Sequence, residues 1–169
     1  MNLLLSALSE LPEYRVLEQA VEAGRVSAMA GVGQLTRSHL IAALIRDTGR
    51  PALIICQDDL AAQRVQQELA AFLEQTPELL PGREFTFYDA AVVSRGWEQK
   101  RLRRFYDLAT GKTKILVTSL EALSLRTMPK QVLFTASVSL KCGASYVMEE
   151  LARKLTDAGY SRTTLVEGV

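Results

Sequence analysis

Apolar residues recur along this chain in two rhythms, one helical and one strand-like, and their alternation predicts the fold. Leu11, Tyr14, Leu17, Ala20 and Val21 fall at three- and four-residue spacing and predict a helix from Ser9 to Gly24, with Gly24 placed to end it. The short run Val26 to Ala30 reads as a buried strand. Leu35, Leu40, Ile41, Leu44 and Ile45 mark a second helix, stopped at Gly49, Arg50 and Pro51. The unbroken run ALIIC, Ala52 to Cys56, has the pattern of a strand covered on both faces, which favours a parallel sheet. Asp58 or Asp59 can cap a third helix running to about Gln75, with Leu60, Val65, Leu69, Phe72 and Leu73 on its apolar face.

Pro77 to Gly82 then reads as a loop, and EFTFYD, residues 84–89, alternates as a strand does. A basic helix from Gly96 to Ala109 follows, ending near Gly111, with Leu102, Phe105 and Leu108 expected to face inward. KILVT, Lys114 to Thr118, is another apolar strand, and Ser119 with Glu121 opens a small helix. Strands and helices in alternation predict a three-layer α/β domain with a parallel sheet and right-handed crossovers. After Pro129 the style changes: QVLFTASVSLKCG alternates as a strand with one exposed face, a helix is expected from Ser145 to Ala158, and a last strand from Ser161 to Val166. We therefore divide the chain into an α/β domain, 1–129, and the beginning of a small α+β domain, 130–169, too short to sustain a core alone and apparently truncated.

Composition narrows the function. The 169 residues are 48% hydrophobic and 23% charged, and 20 basic against 19 acidic residues leave a formal charge of +1, so no strong general attraction to polyanions follows. Two widely separated cysteines, Cys56 and Cys142, and a single histidine argue against a zinc site, which needs about four ligands. They suit free thiols in a reducing cytosol. The apolar start lacks a basic n-region and a cleavage site, and Glu10, Pro12 and Glu13 interrupt it. The expectation is a soluble, cytoplasmic protein without a membrane partner.

The stretch GVGQLTRS, Gly31 to Ser38, carries the chemical question. A phosphate-binding loop, GxxxxGK[ST], uses glycines to turn backbone N–H groups toward the phosphates, a lysine to reach the outer ones and a hydroxyl to hold magnesium. Gly31 and Ser38 match that template and Gly33 adds a further glycine, but Thr36 stands at the second template glycine and Arg37 at the lysine. A β-branched residue does not readily take glycine's positive φ, and a planar guanidinium replaces a compact ammonium poorly. The loop is thus expected to be degenerate, with no catalytic, cofactor or metal site. The string GKT at Gly111 to Thr113 leaves a helix and enters a strand, the wrong order for such a loop, and reads as a helix cap. Gln57, Asp58 and Asp59 read as a turn and N-cap and not as an acidic nucleotide-binding box.

His39 lacks a ligand or catalytic partner at useful spacing and is expected to be a surface or half-buried residue. The run WEQKRLRRF, Trp97 to Phe105, reads as an amphipathic helix with a solvated basic face, the alternative being a DNA contact through Lys100, Arg101, Arg103 and Arg104.

Taken in order, LPEYRVLEQAV, GVGQLTRSHLIAAL, PALIICQDDLAAQRVQQEL, Phe87 to Asp89, EQKRLRRFYDLATGKTKILVTSLEAL and SLKCGASYVMEELARKLTDAGYSRTTLVEG resemble the N-terminal part of the bacterial transcription-repair coupling factors (Mfd). The first domains of that family are similar to the excision-repair protein UvrB. UvrB has an intact GKT loop and a long DNA-clamping hairpin, and this sequence has neither, which favours the coupling factors. The resemblance implies a P-loop/helicase-type fold whose nucleotide site is lost, acting as scaffold and adaptor in transcription-coupled nucleotide excision repair through UvrA recruitment and autoinhibition. It implies ATP, magnesium, RNA polymerase and duplex DNA only for regions outside this chain, and packing of this module on other domains. UvrA contacts in the family follow the stretch matching Gly159 to Glu167, so Arg162 is the candidate partner-binding residue here. The rival reading is a diverged helicase-like domain that still binds ATP or DNA.

Overall fold

The computed structural model describes residues 3–82 and 95–163. Chain contacts divide it into two compact units, Met1–Leu125 and Arg126–Val169.

In the first unit, helix α1 (Leu3–Leu8) precedes α2 (Pro12–Glu22), α3 (Gln34–Thr48), strand β1 (Ala52–Cys56), α4 (Asp59–Phe72), β2 (Glu78–Leu80), α5 (Arg95–Ala109), β3 (Ile115–Ser119) and α6 (Leu120–Ser124). The three strands are parallel in the order β1-β3-β2, so the chain is a mixed α/β fold with a small parallel sheet. The helix predicted from Ser9 begins at Pro12, which sits in the first turn where its missing N–H costs nothing, and the apolar start forms the separate α1. Gly24 and Gly49 take left-handed φ of 66° and 62° and end α2 and α3 as expected. Asp58 caps α4 by accepting from Ala61 N at 2.7 Å, and Ser119 caps α6 by accepting from Ala122 N at 3.0 Å.

Side-chain alternation sorts the sheet into two faces. Ile54, Val117 and Leu79 share one face and join a core with Leu5, Leu8, Tyr14, Leu40, Ala42, Ala43, Ala62 and Leu69. Helix α4 packs on the sheet, α3 on α4, and α1 and α2 on α3. On the opposite face Leu80 and Leu116 are buried near α5 and α6, but Leu53 and Ile55 are about half exposed. The ALIIC strand is therefore not covered on both faces as its apolar run suggested, being an outer strand among the described residues.

Several other expectations are corrected. Val26 to Ala30 form no strand: Val26 is fully exposed and Met29 43% so, and no strand among the described residues pairs with this segment. Part of the predicted Pro77 to Gly82 loop is β2, paired with β3, since Pro77 and Gly82 flank a run that a buried neighbour can hold. Leu60 and Leu11 are exposed. The EFTFYD segment lies outside the described residues.

In the second unit, α7 (Lys130–Ala136) and α8 (Met148–Asp157) pack together. The strand predicted from Gln131 is instead α7 followed by irregular chain. With no strand among the unit's described residues, the backbone satisfies its bonds locally, as in Leu133 N to Pro129 O at 3.0 Å. Helix α8 begins later than expected, at Met148, and Gly159 (φ 95°) ends it with Tyr160 N bonded to Leu155 O. Residues 161–163 are not strand, and the rest of the strand predicted to Val166 lies outside the described residues.

Candidate functional site

The phosphate-loop candidate is set by the entry to α3. Gly31 takes φ 76°, Gly33 is the N-cap in an extended conformation, and the helix starts at Gln34. Thr36 is consequently inside the first turn with no positive φ, so the strain expected from a threonine in a glycine position does not arise. A loop that cradles phosphate keeps successive N–H groups free to face the ligand. Here Arg37 N is already bonded to Gly33 O at 2.9 Å.

The side chains of the motif part company. Ser38, at the position of a magnesium-binding hydroxyl, is 1% exposed and donates to Glu68 Oε2 on α4 at 2.5 Å. Arg37 is exposed and borders a depression of about 240 Å³ otherwise lined by Leu17, Met29, Val32, Leu40, Ile41 and Leu44. Those neighbours are apolar, so the depression offers a phosphate one cation and no second polar group. No strand precedes the loop, contrary to expectation, which removes the strand-to-helix turn that aims such a loop at its ligand. His39 bridges elements: its Nε2 lies 2.8 Å from Leu4 O and its ring stacks on Phe72 at 4.9 Å, a structural role in keeping with its pattern.

In open parallel sheets ligands collect beyond the carboxyl ends of the strands. Side chains occupy that region at the ends of β2 and β3. Arg101, on α5, is 4% exposed and donates to Pro81 O at 2.8 Å and Ala122 O at 3.1 Å, beyond the ends of β2 and β3. Its guanidinium lies over Trp97 at 5.3 Å and Phe105 at 5.2 Å, and Trp97 Nε1 donates to Gly82 O. Asp59 closes the same corner by accepting from Gly82 N at 3.0 Å, and a Cβ on Gly82 would overlap that carboxylate. Burial holds Arg101 below the ordinary arginine range, with Asp59 opposing the shift.

This arrangement corrects the reading of α5. Leu102 and Leu108 are partly exposed, while Arg101 and Asp107 are buried, because carbonyls at the sheet end attract the guanidinium more than they do an aliphatic chain. It also sorts the four residues of the alternative basic cluster, of which Lys100 is exposed. Arg101 is inside, Arg103 pairs with Asp107 at 3.0 Å, and Arg104 pairs with Glu78 at 2.7 Å. The GKT string is a helix cap, with Lys112 N and Thr113 N both bonded to Asp107 O.

Among the described residues no three of His, Cys, Asp and Glu are grouped to hold a metal, and no helix is long and apolar enough to cross a membrane. Arg162 is exposed in the chain beyond α8, in the second unit. That unit carries a groove of about 710 Å³ between α7 and α8, bordered by Val132, Leu140, Tyr146, Val147, Leu151 and Lys154. Sequence reasoning missed the Ser38–Glu68 bond and the Arg101 anchor. The first joins residues 30 apart on two helices, but an arginine amid the aromatics Trp97 and Phe105 was a usable signal for the second.

Comparison with known proteins gives relatives with one theme. The chain is similar to the transcription-repair-coupling factor of Bacillus subtilis, 26% identical over 161 residues that cover 94% of this chain and 14% of the relative. The Myxococcus xanthus transcription-repair-coupling factor is 27% identical over 166 residues, again 94% of this chain and 14% of the relative. UvrABC system protein B of Synechococcus elongatus is 23% identical over 168 residues, 91% of this chain and 25% of that protein. The resemblance read from the sequence, to an N-terminal UvrB-like region of the coupling factors, is thereby borne out. The chain spans about one seventh of the coupling factors that it matches. No protein-family model matches, and no solved structure matches.

Proposed function

We propose that this chain is a noncatalytic module of transcription-coupled DNA repair: a UvrB-like scaffold, 1–129, in which the nucleotide site of a P-loop/helicase fold has been converted to structure, followed by the start of a UvrA-recruiting domain. The similarity to coupling factors along nearly the whole chain supports the process. The single observation that carries the loss of catalysis is Ser38, whose hydroxyl is buried on Glu68. Arg37, exposed and bordered by apolar residues, and Arg101, bonded at the ends of β2 and β3, support the same reading.

In this reading the module works by holding other protein domains. Arg162 is its candidate UvrA contact, exposed as such a contact must be. ATP, magnesium, RNA polymerase and duplex DNA act on other parts of the coupling factor, and the scaffold packs against those parts. Phosphate release from ATP tests this directly. The chain, with magnesium and with or without duplex DNA, gives no turnover above a protein-free blank; turnover that falls on Arg37→Ala establishes the diverged helicase-like domain instead.

A further inference from the structure

We draw no further inference here: the strongest candidate, the apolar groove between α7 and α8 bordered by Val132, Leu140, Tyr146, Val147 and Leu151, carries nothing, because nothing in the structure shows what covers it and the chain spans about one seventh of the coupling factors that it matches.

Discussion

Ser38 and Tyr14 show how single polar groups are committed to structure in this protein. Ser38 donates to Glu68 inside the α3–α4 contact, so its hydroxyl is already committed within the fold. Tyr14 is 1% exposed and donates to Asp47 Oδ2 at 2.6 Å, while Arg46 holds the other oxygen at 2.6 Å. Burial, then the bond to Asp47, raises the Tyr14 hydroxyl well above its usual range, and the Arg46 hydrogen bond lowers Asp47. A raised phenol stabilises the fold below its unfolded value and loses that contribution as pH climbs past about 10. A lowered carboxylate stabilises above its unfolded value and loses its contribution as pH falls below about 4. Urea unfolding should therefore show stability declining at both extremes. In Tyr14→Phe the alkaline decline through this group disappears, at a cost of about 1–2 kcal/mol near neutrality for the unpaired Asp47 oxygen. An unchanged alkaline limb would show that the phenol is not coupled to folding.

At the scale of elements, α5 is held to the sheet by a cation where an aliphatic stripe was expected. Arg101→Met removes the donors for Pro81 O and Ala122 O while keeping much of the side-chain volume. The loss should be about 2–3 kcal/mol in a urea midpoint measurement, and Arg101→Lys should recover little of it, since one ammonium cannot reproduce a planar fork between two carbonyls. A change under 0.5 kcal/mol, roughly that of an ordinary surface substitution, would contradict the anchoring role. Elements whose own residues carry their signals were legible in the sequence: Gly24 and Gly49 end helices, Asp58 and Ser119 begin them, and the all-buried β3 reads as a continuous apolar run. Elements that depend on distant partners were not. Val26 to Ala30 and the stretch from Gln131 have strand-like composition, but a strand exists only where another supplies its ladder. The converse holds for β2, which Pro77 and Gly82 disguise as a loop and β3 makes a strand. At the candidate site the substitution at Thr36 and Arg37 was readable, whereas the fate of Ser38 depended on Glu68, a full helix away.

For the whole molecule, the proposed function sets similarity along the chain against the chemistry of one loop. Similarity to coupling factors and to a UvrB protein runs along about nine tenths of the chain, while GVGQLTRS leads into α3 with the Ser38 hydroxyl buried. In the proposed function this module holds proteins together and does not use ATP. Isothermal titration calorimetry of the chain with ATP and magnesium checks this. The expected result is no saturable heat up to about millimolar nucleotide. Saturable micromolar binding that disappears in Arg37→Ala would contradict it, and would identify GVGQLTRS as a working phosphate loop.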